Sequence, residues 1–221
     1  MKRTSINELL DNDAGTAAEI RDSLVDLRRI NLWFGGIRTT EALIERVVQQ
    51  TGNTHLSLLD VAAGSGDAVR NAQTRFRQRG ITLRTTLLDR AHSHIGNNGP
   101  AIVADCCALP CGAGSFDLVS CCLFAHHLSP EHLVQFVQSA LRVCRVAVLI
   151  NDLIRDPVHL ALVYAGLPLF RSRLTHHDAP ASVRQAYTRA EMQHLLSQTG
   201  AARIEISRHY LYRMGVIAWK A

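Results

Sequence analysis

The chain has 221 residues, enough to bury the core of one full domain, and its 47% hydrophobic and 19% charged residues are typical of a globular protein. No apolar run is long enough to span a bilayer, and residues 1–13 lack the apolar core of a signal peptide, which predicts a cytoplasmic protein. The formal net charge is +5, but the arginines are interspersed with acids and form no basic block, which disfavours nucleic acid as a partner.

Two helices are predicted near the start of the chain, at residues 17–31 and 39–50, from apolar residues at helical spacing. The segment between them contains Trp33, Phe34 and a flexible pair of glycines. This segment could fold over a ligand, but for the two aromatic side chains we favour a role in anchoring the first helix. We expect residues 1–50 to form an N-terminal helical lid and residues 51–221 to form the main domain.

From residue 56 onward, strands and helices alternate. Buried strands are predicted at 56–61, 81–88, 101–104, 116–122 and 145–151, and helices at 66–79, 130–141 and 188–200. Two final strands, at 203–209 and 212–219, are close enough in sequence to form an antiparallel hairpin. This order predicts an α/β protein with an open parallel sheet, helices on its faces and an antiparallel addition at one edge.

Residues 153–187 are too long for an ordinary connection between two elements, and long insertions at the carboxyl ends of strands often cover a site. Their apolar stretch, residues 160–170, is consistent with the wall of a hydrophobic pocket and equally with a core helix. We expect His176, His177 and Asp178 to lie in a solvated loop of this insertion.

The cysteines do not have the CxxC…CxxC spacing of a zinc site. Without a secretory signal, a disulfide framework is not expected either, and the interpretation we favour is reduced thiols that serve as small apolar residues. The six are Cys106, Cys107, Cys111, Cys121, Cys122 and Cys144.

Three acids, Asp60, Asp89 and Asp105, stand at the carboxyl ends of consecutive predicted strands. Ligands bind at this edge of an open parallel sheet, so we expect the three carboxylates to face one crevice. A carboxylate at Asp89 can accept hydrogen bonds from both hydroxyls of a ribose, and Asp105 can accept one from an exocyclic amine such as that of adenine. Each acid alone is equally consistent with a turn or a helix cap, but their order after the turn at Gly64 and Gly66 is more specific.

The segment that contains these acids resembles class I S-adenosylmethionine-dependent methyltransferases. Residues 60–66, DVAAGSG, are similar to the first motif of that family, and Asp89 is similar to its ribose-binding acid. Residues 105–110, DCCALP, resemble the segment that brackets adenine. Residues 115–119, SFDLV, and 126–128, HHL, are similar to the quinone-biosynthesis and related small-molecule branches, which include phenolic and polyketide O-methyltransferases.

The resemblance covers residues 51–221 and implies a Rossmann-like three-layer sandwich with the strand order 3-2-1-4-5-7-6, an antiparallel last strand and an N-terminal helical cap. It also implies S-adenosylmethionine as the cofactor, and the expected cofactor-binding residues are Arg38, Asp60, Ala62, Gly64, Ser65, Gly66, Asp89, Arg90, Asp105, Cys106 and Cys122. Arg38 is the candidate partner of the cofactor carboxylate, with a surface arginine as the competing interpretation. Ala62 stands where the family usually has glycine and should be tolerated if its backbone dihedrals are ordinary.

A dinucleotide-dependent oxidoreductase shares the sheet and the glycine-rich first turn. Its fingerprint is GxGxxG followed by an acid about 20 residues further on. This chain has only two glycines in the turn, and Asp89 lies 23 residues after Gly66. The spacing is weak evidence alone, but Asp60 before the glycines and Asp105 after the third strand favour the methyltransferase.

Methyl transfer requires an acceptor atom aligned with the carbon–sulfur bond, and a phenolic acceptor would also benefit from a general base. His126 and His127, just after the fourth strand, are the candidate catalytic bases; the alternative is that one packs in the core and the other caps a loop. Asn151 and Asp152 form a second polar group, with Arg155 further out. No acid cluster for magnesium can be assigned, so no metal site is predicted.

These observations predict an enzyme that methylates a small apolar or aromatic acceptor, with a phenolic or enolic hydroxyl of an aromatic, quinone-like or polyketide metabolite as the favoured target. The alternative is a regulatory or accessory protein that binds S-adenosylmethionine without turnover. Both interpretations are compatible with a homodimer.

Overall fold

A computed structural model describes residues 1–12, 14–90 and 99–221. Its strands are β1 His55–Val61, β2 Thr82–Asp89, β3 Ala101–Val103, β4 Phe116–Cys122, β5 Cys144–Leu153, β6 Arg203–His209 and β7 Arg213–Trp219. They form a seven-stranded sheet in the order β3-β2-β1-β4-β5-β7-β6. The first five strands are parallel to one another, and β7 is antiparallel to β5 and to β6. The predicted fold class and strand order are confirmed.

The α-helices in the described part of the chain are α1 Ala17–Trp33, α2 Gly36–Thr51, α3 Asp67–Gln78, α4 Pro130–Val143, α5 Pro157–Gly166, α6 Arg173–Gln185 and α7 Arg189–Leu196. None of them combines the length and the apolar character needed to cross a membrane.

Successive strand residues point to opposite faces of the sheet, so each face has its own apolar core. On one face, Leu58 of β1 packs in a cluster with α2 and α3. On the other face, its neighbour Leu59 packs in a cluster with α4 and α7. Although α2 was predicted as part of a lid, its residues Leu43, Ile44 and Val47 are buried in the first cluster, so α2 is a layer of the sandwich.

The helix boundaries follow local capping. The Ser129 side chain accepts a hydrogen bond from the backbone of α4 with Pro130 at the first helical position, and Thr188 and Glu191 form the capping box of α7, as the sequence predicts. The helix α2 begins three residues earlier than expected, because Gly35 adopts a left-handed conformation with φ +79° and connects α1 directly to α2.

The insertion at residues 153–187 folds into α5 and α6 and packs against the start of the chain. The buried Asp26 of α1 accepts hydrogen bonds from the backbone N–H groups of Arg171 and Ser172, at 3.1 and 3.0 Å. The prediction that residues 176–178 lie in a solvated loop is wrong, because these residues lie in α6 and Asp178 is buried. Its carboxylate accepts hydrogen bonds from the N–H groups of Leu9 and Leu10, at 2.8 and 3.0 Å.

Residues 1–12 lie beside α6 and the 3-10 turn Ala125–His127, and we call them the N-terminal segment. The Arg3 guanidinium donates to the carbonyl oxygens of Gln185, His126 and Leu128 and lies over the ring of Tyr187. The N-terminal segment, α1 and the insertion therefore form a joint cover over the carboxyl edge of the parallel strands.

Candidate functional site

A cavity of about 700 Å³ lies beneath this cover, at the carboxyl edge of the parallel strands. One end is lined by residues that the sequence predicts for the cofactor: Ala62, Gly64, Asp89, Arg90, Asp105 and Cys106. The other end is lined by α1, α5, α6 and the histidines after β4. A single cavity therefore joins the expected cofactor residues to the insertion.

The glycine turn after β1 opens onto the first end of the cavity. Gly64 and Gly66 have left-handed backbones, with φ +51° and +71°. The N–H of Gly64 donates to Oδ2 of Asp89 at 2.9 Å, and a Cβ on Gly64 would meet nothing within 4 Å. A Cβ on Gly66 would lie 2.8 Å from the side chain of Leu87 and would crowd it, whereas Gly64 leaves room for a ligand to approach the backbone.

Ala62 has φ +53°, so the condition under which alanine would fit here without strain, ordinary backbone dihedrals, is not met. A non-glycine residue in the left-handed region costs about 1–2 kcal/mol, because its Cβ crowds the backbone. Ala62 lines the cavity, and strained backbone of this kind is concentrated at functional sites.

Asp60 lies at the end of β1 but is 3% exposed and does not line the cavity, so only two of the three acids face the expected crevice. Its Oδ1 accepts a hydrogen bond from the Ser120 hydroxyl at 2.5 Å. Burial raises the pKa of Asp60 to about 7, with a further contribution from the charge of Asp89, and outweighs the opposing hydrogen bond from Ser120.

Asp105 and the two adjacent cysteines line the cavity beside Asp89. Oδ1 of Asp105 accepts a hydrogen bond from the N–H of Cys107 at 2.7 Å and caps the 3-10 turn Cys106–Ala108. The sulfur atoms of Cys106 and Cys107 are 3.8 Å apart. Burial raises the pKa of Cys106 to about 12, so this thiol stays protonated and uncharged at neutral pH, consistent with the expectation of thiols that serve as small apolar residues.

Besides Asp60, four expected cofactor residues do not line the cavity: Arg38, Ser65, Gly66 and Cys122. Arg38 is exposed, in a groove between α2 and α3 that Glu41 and Glu45 also line, because a helix that begins at Gly36 turns this side chain to its outer face. This placement favours the competing interpretation of Arg38 as a surface arginine, and its assignment to the cofactor stays a prediction. Ser65 is exposed and donates to Asp67, and Sγ of Cys122 lies 3.9 Å from Oδ1 of Asn31.

His126 is buried and held between two carboxylates. Its Nδ1 lies 2.6 Å from Oδ1 of Asp152, and its Nε2 lies 3.5 Å from Oε1 of Glu8. Burial opposes the charged form, but the hydrogen bonds and charges of Asp152 and Glu8 outweigh it and raise the pKa of His126 to about 10. His126 is therefore protonated at neutral pH, which argues against its predicted role as a general base.

His127 lies beside it and is partly exposed in the cavity wall. Its Nδ1 is 2.8 Å from Oδ2 of Asp11, and its Nε2 is 3.8 Å from Oε2 of Glu8. The rings of His126 and His127 are 4.2 Å apart between centroids. Each histidine thus has a carboxylate at Nδ1 and faces Glu8 with Nε2.

Glu8 is a site residue that sequence reasoning missed. It is 8% exposed, and its Oε1 accepts hydrogen bonds from the Ser182 hydroxyl at 2.6 Å and from the Gln185 amide at 2.7 Å. Burial favours the neutral acid, but the hydrogen bond and charge of His126 lower the pKa of Glu8 to about 2. No local signal marks Glu8, because its partners lie more than 110 residues away in the sequence.

Arg213 was also missed. Its guanidinium is buried in the cavity wall and donates to Oδ1 of Asn31 at 3.2 Å and to the carbonyl of Phe34 at 3.3 Å. The predicted polar pair after β5 has a supporting role: Asn151 donates to the carbonyl of Gly36 and to Thr40, and Asp152 holds His126. The outer candidate Arg155 is buried and donates to Glu191 and to backbone carbonyls.

The second end of the cavity is mostly apolar, with walls from Leu24, Leu27, Ile30, Leu162, Val163 and Phe170. Of the two interpretations of residues 160–170, the pocket wall is the one that the structure supports. The expected anchoring role is seen for Phe34, whose ring lies edge-on to Phe170 with centroids 6.3 Å apart, but Trp33 is half exposed.

Residues 58–146 match a family described as a methyltransferase domain. No curated protein sequence matches the chain. Among solved structures, the plantazolicin methyltransferase BpumL in complex with SAH has a TM-score of 0.69 and 13% identity over 96% of this chain and 94% of that one.

Two further structures share the fold. The magnesium protoporphyrin IX methyltransferase from Synechocystis PCC 6803 with bound SAH has a TM-score of 0.56 and 15% identity over 85% of this chain and 84% of that one. Human N-acetylserotonin methyltransferase in complex with SAM has a TM-score of 0.59 and 13% identity over 88% of this chain and 54% of that one. At these identities the structures establish the fold.

Proposed function

We propose that this chain, an S-adenosylmethionine-dependent methyltransferase, transfers the methyl group to a hydroxyl of an apolar, aromatic or polyketide-like small molecule. The main support for this proposal is one cavity of about 700 Å³ that joins the glycine turn to an apolar pocket. Cavities of this size fit a small molecule and are usually apolar with a few placed polar groups.

The residues at the first end of the cavity fit the cofactor. Gly64 presents an open, left-handed backbone. Asp89 ends β2, Asp105 follows the adjacent strand β3 by two residues, and both line the cavity. In our proposal Asp89 accepts hydrogen bonds from the ribose hydroxyls, Asp105 accepts one from the adenine amine, and the turn at Gly64 holds the amino-acid end. When bound, S-adenosylmethionine supplies a methyl group that is already activated by its sulfonium.

The protein's contribution is to position the acceptor and exclude water. Apolar side chains of α1 and α5 form the pocket walls, and the cover of N-terminal segment and insertion closes above them. A phenol with a pKa near 10 is mostly neutral at pH 7, so its oxygen must be polarised or deprotonated before attack. In our proposal the polar end of the pocket, at Glu8, His126 and His127, receives that hydroxyl.

Mass spectrometry with a panel of phenols, enols and matched amines tests the proposal. Addition of one methyl group to a hydroxyl-bearing compound, dependent on S-adenosylmethionine, is the expected result. Methylation of the amines alone would overturn the assignment to oxygen. Calorimetric binding of S-adenosylmethionine with no methylation across the whole panel would favour the accessory protein instead.

A further inference from the structure

Three side chains from distant parts of the sequence converge at the polar end of the cavity. Glu8 comes from the N-terminal segment, and His126 and His127 come from the 3-10 turn after β4. One carboxylate oxygen and one ring nitrogen from each histidine lie within 4.8 Å of one another. The separations from Nε2 to the Glu8 oxygens are 3.5 Å for His126 and 3.8 Å for His127.

The two histidines are oriented in the manner of metal ligands. A histidine that binds a metal usually donates its other ring N–H to a carboxylate, which fixes the tautomer. Nδ1 of His126 lies 2.6 Å from Asp152, and Nδ1 of His127 lies 2.8 Å from Asp11. When each ring is neutral and keeps its proton at Nδ1, the lone pair is on Nε2, the atom that faces Glu8 in both histidines.

Glu8 is fixed in a similar way. Ser182 and Gln185 both donate to its Oε1, and Nε2 of His127 lies 3.8 Å from its Oε2. Glu8 and His126 are buried, so the surrounding protein shields these two side chains from bulk water. Three carboxylates surround two imidazoles, which gives a cluster of net negative charge when both rings are neutral.

We propose that Glu8, His126 and His127 bind one divalent transition-metal ion, with a coordination position that opens into the cavity. Two nitrogen ligands and one oxygen ligand suit Zn²⁺, Fe²⁺ or Co²⁺, whereas Mg²⁺ and Ca²⁺ prefer oxygen ligands throughout. The binding of the metal releases the proton that His126 carries in its absence.

A site with three protein ligands leaves room for a ligand from the cavity, as in catalytic rather than structural metal sites. The next step rests on the proposed function. The acceptor oxygen occupies the open coordination position, and the metal would lower the pKa of the acceptor hydroxyl. Metal binding itself is measured without acceptor or methyl transfer, so its failure and the failure of the proposed function are separate results.

The second cluster with metal-binding groups in the described residues, Asp105, Cys106 and Cys107, lacks these features. Asp105 is exposed and caps the backbone of Cys107, and burial raises the pKa values of both thiols. Because thiolates bind Zn²⁺ and Co²⁺ well, this cluster is nevertheless the necessary control.

The test is titration of the chelator-treated full chain with Co²⁺, followed by visible absorption and calorimetry. We expect one Co²⁺ per chain, displaced by Zn²⁺ and not by an equal concentration of Mg²⁺. Glu8→Gln, which keeps an oxygen acceptor for Ser182 and Gln185, and His127→Ala should each lower the affinity about 10- to 100-fold. His194→Ala, at an exposed position of α7, and Cys106→Ser with Cys107→Ser should leave it unchanged.

Binding that is absent, that survives both Glu8→Gln and His127→Ala, or that is lost in the cysteine variant would overturn the proposal. If a ligand variant fails to fold, NMR of the unsubstituted chain decides. Co²⁺ must then shift or broaden the ring signals of His126 and His127 before those of the other histidines, and any other order contradicts the site.

Discussion

The side chain of Asp60 has a different pKa in the folded chain than in the unfolded chain. Its folded pKa of about 7 lies above the ordinary value of 3.8, because burial penalises the carboxylate. The folded chain therefore binds more protons at this group, and stability falls as the pH rises from about 4 to about 7. Above that window the chain holds a buried carboxylate that the fold disfavours.

We predict that Asp60→Asn raises the free energy of unfolding at pH 8 and has little effect at pH 4. The amide retains an oxygen acceptor for the hydroxyl of Ser120 and carries no charge. The gain at pH 8 is up to about 4 kcal/mol, from a pKa shift of this size. Urea unfolding at both pH values measures it.

Asp117 on β4 is the matched control, because its ion pair with Arg145 and its hydrogen bonds from Ser57 lower its pKa despite burial. Asp117→Asn should lose stability at pH 8, and this loss should shrink only as the pH falls below 3.8 and through the lowered pKa of the folded chain, where the parent carboxylate becomes protonated. Equal losses for Asp60→Asn at both pH values would show that its carboxyl is not the titrating group.

Ala62 gives a second prediction at this scale. Ala62→Gly should stabilise the chain by about 0.5–1 kcal/mol. Glycine adopts φ +53° without crowding by a Cβ, but it also raises the conformational entropy of the unfolded chain, which offsets part of the stabilisation. Ala63→Gly next to it, where φ is not positive, should be destabilising by a similar amount. Thermal unfolding of both variants separates local strain from a general effect of glycine; destabilisation by both contradicts strain at residue 62.

At the scale of elements, the N-terminal segment depends on α6. Asp178 is a buried carboxylate that accepts hydrogen bonds from Leu9 and Leu10, and Glu8, next to them, reaches the histidines. The segment is therefore positioned by one acid on a neighbouring helix, and its order determines where Glu8 lies.

We predict that Asp178→Ala raises hydrogen exchange at Leu9 and Leu10, because each lost charge-assisted hydrogen bond is worth about 1.5–3 kcal/mol. The affinity for S-adenosylmethionine should change little, since Asp178 lies at the acceptor end of the cavity. Asp22→Ala, on the exposed face of α1, is the control. Unchanged exchange at Leu9 and Leu10 would show that other contacts hold the segment.

At the scale of the whole molecule, ligand binding and folding are coupled. A ligand that binds the folded chain at 100 times its dissociation constant adds about 2.7 kcal/mol of stability. S-adenosylhomocysteine should therefore raise the melting temperature of the parent chain. Asp89→Asn keeps an acceptor for Gly64 but loses the carboxylate, and we expect about a tenfold or greater loss of affinity and a smaller thermal shift.

Arg38→Ala is the control for this experiment, because the structure places Arg38 in the groove between α2 and α3. A thermal shift equal to that of the parent chain is expected. A loss of cofactor affinity in Arg38→Ala as large as in Asp89→Asn would contradict that placement.

The sheet and its carboxyl edge could be predicted from the sequence because their signals are local. The strands are short apolar runs, and Asp89 and Asp105 stand directly after two of them. The cofactor role of Arg38 came from the resemblance alone, and the predicted start of α2 at residue 39 did not show that Arg38 lies within the helix, at an exposed position. Glu8, Asp178 and Arg213 could not be found, because each acts through tertiary contacts with residues far away in the sequence.

The pairing of α1 with the insertion has a consequence for how this protein could acquire a new acceptor. The sheet has its own cores with α2, α3, α4 and α7, to which residues 153–187 contribute Ile154 and Tyr187 near their two ends, so the rest of the cover can vary without rebuilding these cores. The N-terminal part and residues 153–187 must change together, however, because Asp26 and Asp178 each bond across the boundary between them. Transferring either piece alone into a homologue would leave a buried carboxylate without these hydrogen-bond donors. The two stretches, although distant in the sequence, therefore form one exchangeable unit.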